Sequence, residues 1–289
     1  LRALGDSRTP LIFLVLSSLA NIALDIVFIV PLDMGVAGAA WATVLSQLAA
    51  AVLSTLVGMK KYSALRAAGW RLENWREEMS RHLRIGFPMG FQMSVMTIGQ
   101  LAMQVAVNKL GAAAVAGYTA AGKVDQFSVL VDGGLGIAVA NYAAQNYGAQ
   151  RYDRIAQGVR ASLVQMTSVS VAMAVIMLLL RSQAVMLFID QPTAEVAGYA
   201  TGYLAAVAPF YPLLGLLLVY RSAEQSMGDS RSPFAACIVE LIMRIGGARI
   251  VGYTGICLAS PLAWFGAVAL LIPVYYRRIR FLKESVGRA

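Results

Sequence analysis

The stretch GDSRTP at Gly5–Pro10 returns almost unchanged as GDSRSP at Gly228–Pro233. A recurrence at this distance indicates an internal repeat rather than a local motif. In each copy the glycine suits the conformation that closes a helix, the aspartate and serine can cap the next helix, and the proline suits its first turn. We interpret both copies as turns that end one helix and begin the next, and a further role in gating is left open. The residues of these turns are Gly5, Asp6, Arg8, Pro10, Gly228, Asp229, Arg231 and Pro233.

The composition indicates that lipid surrounds most of the chain. Of the 289 residues, 58% are hydrophobic and only 13% are charged, and the mean hydropathy is +0.66. Apolar runs of about the length that a bilayer requires predict membrane-spanning helices. We predict eight of them, with a kink at Pro209 and Pro212 in the sixth, at 11–30, 35–58, 85–108, 115–144, 159–180, 197–219, 233–251 and 258–276.

The distribution of positive charge predicts the orientation of these helices. A net charge of +9 would favour nucleic acid in a soluble protein, but here the basic residues lie between apolar runs, so we expect no nucleic-acid partner. Most Lys and Arg residues fall on one side of the predicted topology, while the opposite loops hold only Lys109 and Arg181. The positive-inside rule then predicts an inner-membrane protein with both ends of this chain in the cytoplasm.

The repeat also predicts the architecture. Six predicted spans separate the two GDSR copies, so both lie on one side of the membrane and the repeat is parallel. Four spans precede the second copy within its repeat, but only four residues precede the first. We therefore expect an all-α parent of twelve spans in two parallel six-helix bundles, of which this chain lacks the first four. Its predicted parts are the last two helices of the N-terminal lobe (1–59), a cytoplasmic amphipathic linker (60–84), and the complete C-terminal lobe with its tail (85–289).

The common motifs of nucleotide binding, hydrolysis and metal binding are absent from the sequence. It contains no G-x-x-x-x-G-K-[ST], H-E-x-x-H or G-x-S-x-G motif and no paired Cys/His spacing, with only Cys237, Cys257 and one histidine. We therefore expect no enzymatic activity, no bound metal and no cofactor. The energy for any transport would come from an ion gradient or from a partner.

The first predicted span contains the candidate site with the most specific residue pattern. Asp25 lies one helical turn beyond Asn21 and two beyond Ser17, which aligns three oxygen-bearing side chains along one stripe. A short hairpin would return Thr43 to the same depth. Because an ionisable group in lipid is costly, we predict a cation or proton site formed by Asp25, Asn21 and Thr43. The alternative is that Asp25 only hydrogen-bonds a helix end.

Aligning the two repeats predicts that the second half has lost this site. Asn21 falls on Arg244 and Asp25 on Ala248, and a fixed guanidinium would repel a cation. Glu240 precedes Arg244 by one turn, so we predict that these two form a structural charge pair.

A cavity for organic cations is predicted around the fourth span. Asp125 and Asp132 are seven residues apart and share a helix face, and acidic groups with aromatic rings suit such ligands. Gln92 and Gln100 of the third span and Tyr211 of the sixth are expected to contribute. A charge network within the lobe is an equally open interpretation of the acidic pair.

Several of these stretches resemble the multidrug and toxic compound extrusion family. They are the two GDSR segments, NIALDIVFIVPLDMGVAGAAWATVLSQ at 21–47, FPMGFQ at 87–92, and VDQFSVLVDGGLGIAVANYAAQNYGAQR at 124–151. The resemblance implies twelve helices in two lobes around a central cavity, and an N-lobe coupling-ion site to which Asn21, Asp25 and Thr43 belong. It implies a secondary antiporter that exports amphiphilic organic cations or drugs in exchange for H⁺ or Na⁺ by alternating access. We expect a monomer; a flippase for lipid-linked or polysaccharide precursors and a non-transporting membrane fragment are the alternatives.

Overall fold

The structure is a computed structural model that describes residues 1–67, 74–250 and 252–286. Within these ranges the chain is helical and contains no strand. It divides into two compact units, Leu1–Glu78 and Met79–Ala289. Residues 68–73 of the predicted linker lie outside the described residues.

The first unit is a helical hairpin of α1 (Arg8–Ile29) and α2 (Gly35–Lys61), followed by the short helix α3 (Ser63–Ala67). Small residues of α2 lie one turn apart against α1, where Gly38, Ala42 and Ser46 are all buried. A Cβ atom at Gly38 would lie 3.0 Å from the Cβ atom of Phe28. The small side chains therefore allow the two helices to pack closely, as they do at many membrane helix interfaces.

The second unit contains seven longer helices. They are α4 (Trp75–Asn108, beginning just before the unit), α5 (Ala112–Gly148), α6 (Tyr152–Met186), α7 (Ala194–Val207), α8 (Tyr211–Ser226), α9 (Arg231–Ile250) and α10 (Gly252–Val286). Helix α8 lies against α5, α6 and α10, and its buried Tyr211, Leu217 and Val219 belong to the main core. A 3₁₀ turn at Ala208–Phe210 separates α7 from α8, which confirms the interruption predicted at the proline pair.

All eight predicted spans are helical, but they differ in apolarity. Six of the described segments are long and apolar enough to cross a membrane: α1, α2, α5, α6, the α7–α8 pair, and α10. Helix α4 is less apolar, since it contains Gln92, Gln100 and Gln104, and α9 contains four charged residues. The described parts of the eight predicted spans are thus helical, whereas length and composition identify six segments of the described chain as spans.

The observed helices extend beyond the predicted spans. Helix α10 begins at Gly252 and continues to Val286, so the predicted tail after 276 is largely helical. Helix α4 likewise begins at Trp75, inside the predicted linker at 60–84. The bilayer rule accounts only for the part of a helix within hydrocarbon, and a helix can continue through the headgroup layer where polar residues are tolerated.

The two GDSR segments form equivalent turns. Gly5 and Gly228 both have φ of 81°, which favours glycine. Asp6 Oδ1 accepts a hydrogen bond from the Thr9 N–H at 3.0 Å, and Asp229 Oδ1 accepts one from the Ser232 N–H at 3.2 Å. In both turns the aspartate caps the helix that follows, whereas Ser7 makes no side-chain capping hydrogen bond.

A second pair of turns completes the repeat. Gly35 opens α2 and Gly252 opens α10, and both have φ of 52°. Helix α9 packs against α10 as α1 packs against α2, and the first helix of each of these two hairpins therefore has a matched glycine turn before it and after it. The stretch from Gly228 to Gly252 is six residues shorter than the stretch from Gly5 to Gly35.

Candidate functional site

The polar stripe of α1 faces α2, as the hairpin prediction requires. Ser17 Oγ donates a hydrogen bond to the Ser46 carbonyl oxygen at 3.1 Å, and Asn21 Nδ2 donates to Thr43 Oγ1 at 3.4 Å. Thr43 in turn donates its hydroxyl proton to the Ala39 carbonyl oxygen at 3.0 Å. The structure thus brings Asn21 and Thr43 to the same depth.

Asp25 lies one turn further along this stripe. It is half-buried, and its Oδ1 atom is inaccessible to solvent and has no hydrogen-bond partner among the described residues. In the same ranges Asp25 forms no ion pair, and no hydrogen bond to a helix end is found for it. A carboxyl group so placed can bind a proton. Asn21 precedes Asp25 by one helical turn, and its amide contacts the Thr43 hydroxyl group.

The structure corrects the predicted pairing of Glu240 with Arg244. Arg221 Nη2 on α8 donates to Glu240 Oε1, and their side chains are 8% and 5% exposed. The pairing across helices satisfies a carboxylate whose position on α9 faces the protein interior, which the i,i+4 rule cannot anticipate. Arg244 instead lies beside Gly99 on α4, where a Cβ atom would lie 3.5 Å from its Cδ.

The five predicted cavity residues have different surroundings. Tyr211 Oη donates to Asp125 Oδ1 at 2.7 Å, and Ser170 Oγ donates to Asp132 Oδ1 at 3.2 Å. Asp132 and Tyr211 are buried within the second unit, and Asp125 is half-buried. These contacts agree with the open interpretation of a polar network inside the lobe.

The two predicted cavity glutamines of α4 also have different surroundings. Gln92 is buried and its Oε1 accepts from Gln225 Nε2 at 2.9 Å, whereas Gln100 is exposed. Gln225 was missed at the sequence level. Gln225 lies six residues beyond the predicted sixth span, and its position gave no indication of its partner on α4.

A further buried acid was also missed. Glu224 near the end of α8 is 0% exposed, and neither carboxyl oxygen has a hydrogen-bond partner among the described residues. Glu224 follows the predicted sixth span (197–219) and has polar neighbours such as Arg221 and Gln225, so its sequence context gave no signal of burial. No group of three or more His, Cys, Asp or Glu side chains suited to a metal ion is found in the ranges that the structure covers.

The GDSR aspartates carry interactions that no sequence pattern indicated. Asp6 Oδ2 accepts from Lys61 Nζ and from Tyr62 Oη, each at 2.8 Å. Together with the Thr9 hydrogen bonds, the Lys61 ammonium holds the pKa of Asp6 well below its usual range. Asp229 similarly lies 3.4 Å from Arg278 Nη1. In each hairpin, a basic side chain of the second helix thus contacts the aspartate in the turn that precedes the first helix.

Comparison with known proteins agrees with this architecture. The chain is 32% identical over 266 residues to the Probable multidrug resistance protein YpnP of Bacillus subtilis (strain 168), covering 92% of this chain and 57% of that protein. It is 22% identical over 271 residues to the FAD transporter of Shewanella oneidensis, covering 91% of this chain and 60% of that protein. The crystal structure of MATE in the bent conformation superimposes with a TM-score of 0.87 at 21% identity, covering 98% of this chain and 64% of that chain.

The chain therefore spans less than two thirds of the length of these relatives. The structural likeness shows the fold, a polytopic bundle of helices. The protein-family model MatE matches residues 88–250, which is more than half of the chain. The resemblance noted from the sequence is thus confirmed, and the chain belongs to the MatE family.

Proposed function

We propose that the protein is part of a secondary transporter that exports amphiphilic organic cations in exchange for protons, with Na⁺ as the second choice of coupling ion. The observation that carries this proposal is Asp25, a carboxyl group on a membrane helix whose Oδ1 atom is buried without a partner. A relative that is 32% identical is named a probable multidrug resistance protein, which supports drugs as the substrate class.

The proposed coupling follows from the chemistry of that carboxyl group. Protonation of Asp25 neutralises a charge that lipid and packed helices disfavour, so the α1–α2 hairpin can pack more tightly in its protonated state. Loss of the proton toward the cytoplasm restores the charge and reverses the change. Asn21 and Thr43 would position the carboxyl group and, for Na⁺, provide additional oxygens.

The substrate contacts are proposed from accessibility. Gln100 is exposed and Asp125 is half-buried, so both can reach a ligand while Tyr211 orients the Asp125 carboxylate at 2.7 Å. The more deeply buried Asp132 and Gln92 would act by supporting this face. We further propose that the protein is a monomer of the inner membrane, with both ends of this chain in the cytoplasm, and that it transports rather than catalyses.

The test compares two aspartates of the same hairpin. Asp25→Asn should abolish ethidium efflux from cells that produce the protein from its complete reading frame, while amounts in the membrane stay unchanged. Asp33→Asn is the matched control, because Asp33 lies in the loop with φ of 47°, which asparagine tolerates, and it should retain efflux within about twofold. Efflux by Asp25→Asn at the wild-type rate would refute the assignment. Collapsing the proton gradient at constant Na⁺ then distinguishes the two coupling ions.

A further inference from the structure

A cavity of about 270 Å³ lies between the first part of α6 and the last part of α10. Its charged lining residues are Arg160, Arg280, Lys283 and Glu284, so cations predominate. Lys283 is engaged by Asp153, with its Nζ atom 2.6 Å from Asp153 Oδ1. Arg160 and Arg280 are exposed and form no ion pair with any residue that the structure describes, so two guanidinium groups are available to an anion.

A neutral hydrogen-bond donor lines the same cavity. Tyr275 is only 2% exposed, and its hydroxyl group has no hydrogen-bond partner among the described residues. A buried polar group without a partner destabilises a protein unless a ligand or water satisfies it. Phosphate oxygens accept hydrogen bonds from both guanidinium and hydroxyl groups, so the three side chains together suit a phosphate.

An apolar groove continues from this cavity. Leu163 lines both, and from there a groove of about 510 Å³ follows α6 and α8 past Val164, Val171 and Leu216. Tyr220 lines the groove, and its ring lies 5.3 Å from that of Tyr275. The cationic cavity and the apolar groove are therefore neighbouring parts of one surface.

The length of this surface matches a lipid. From Arg160 to Val171 helix α6 rises by about 16 Å, at about 1.5 Å per residue. One leaflet contributes about 15 Å of hydrocarbon to a bilayer core. A free phosphate ion would use only the cavity, whereas a phospholipid would use both the cavity and the groove.

We propose that this surface binds one anionic phospholipid. Its phosphate lies between Arg160 and Arg280 and accepts a hydrogen bond from Tyr275, and one acyl chain follows the groove between α6 and α8. Basic pockets between membrane helices bind anionic headgroups in this manner. The site is separate from the residues assigned to ion coupling and to the transported substrate.

The test measures lipid binding to the purified protein by native mass spectrometry in an uncharged detergent. Dioleoyl phosphatidylglycerol should bind at least about tenfold more tightly than dioleoyl phosphatidylcholine. The double variant Arg160→Gln/Arg280→Gln should lose this preference. Arg277→Gln removes the same charge from α10 at a residue that does not line the cavity, so it should retain the preference within about twofold. An unchanged preference in the double variant would overturn the proposal.

A second series tests the role of the groove. With wild-type protein, dihexanoyl phosphatidylglycerol and glycerol phosphate should bind at least about tenfold more weakly than the dioleoyl lipid, since neither fills the groove. Ser168→Trp should weaken binding of the dioleoyl lipid by narrowing the groove, with circular dichroism confirming that the variant is folded. Equal binding of glycerol phosphate and the dioleoyl lipid would show a phosphate site only and would refute the lipid assignment.

Discussion

Arg221→Met should destabilise the protein by about 3–5 kcal/mol, because it leaves the Glu240 carboxylate buried without a cation. The Arg221 and Glu240 side chains are only 8% and 5% exposed, so water cannot solvate the remaining charge. The pair also joins α8 to α9 through the hydrogen bond from Arg221 Nη2 to Glu240 Oε1. At about 1.4 kcal/mol for each factor of ten, the folding equilibrium constant should fall by more than about a hundredfold.

The double variant separates the loss of the pair from the cost of an unpaired charge. Arg221→Met/Glu240→Leu replaces both ions by apolar side chains, and such replacements are often neutral or stabilising. We therefore expect its free energy of unfolding to lie within about 1 kcal/mol of the wild-type value. The measurement is reversible chemical unfolding of the purified protein in detergent, followed by circular dichroism.

An exposed ion pair provides the control. Lys283→Met breaks the contact with Asp153, whose side chain is 81% exposed, and should change the free energy of unfolding by at most about 1 kcal/mol. If Arg221→Met were no more destabilising than Lys283→Met, burial of the α8–α9 pair would not have the energetic consequence argued above. A double variant as unstable as Arg221→Met alone would likewise refute it.

Three further predictions concern the turns and the interior. Asp6 has a lowered pKa when folded, so its contribution to stability is present above the ordinary aspartate value of 3.8 and is lost as pH falls through the folded value. Asp6→Asn should therefore flatten the acid dependence of thermal unfolding in scans from pH 5 to pH 2. Gly38→Val should destabilise the α1–α2 hairpin by about 1–3 kcal/mol because of the close contact there, whereas Gly198→Val, at a site with no atom within 4 Å of a new Cβ, should change the free energy of unfolding by at most about 0.5 kcal/mol. Tyr211→Phe removes the donor to Asp125 and should cost about 1–3 kcal/mol, and a variant as stable as wild type would show that this hydrogen bond contributes nothing.

Much of the fold follows from composition and local rules. Apolar runs of bilayer length predict the helices because lipid cannot satisfy a free backbone N–H or C=O group. The positive φ at Gly5 and Gly228 is predictable because glycine is the residue that adopts it readily. The helix interruption near Pro209 is predictable because proline lacks the N–H group that a continuous helix needs. Helix ends such as Gly252 and Val286 were missed, because a hydrophobic run indicates where lipid begins rather than where hydrogen bonding ends.

Side-chain partners were predictable only within a short hairpin. Thr43 could be placed beside Asn21 because five residues at 30–34 connect α1 and α2 and fix their relative depth. Arg221 could not be assigned to Glu240 by the same reasoning. Their contact depends on how α8 and α9 are rotated about their own axes, which is set by packing along both helices rather than by the spacing of residues in the chain.

The matched glycine turns have a consequence for redesign of the second hairpin. The stretch between its turns is six residues shorter, although α9 (20 residues) is only two residues, or about 3 Å, shorter than α1 (22 residues). Asp25 stands ten residues before Gly35, whereas Ala248 stands only four before Gly252. An acid placed as far before the second glycine turn as Asp25 is before Gly35 would therefore replace Ile242, so a site engineered by copying the spacing to the turn would differ from one engineered by copying the repeat offset.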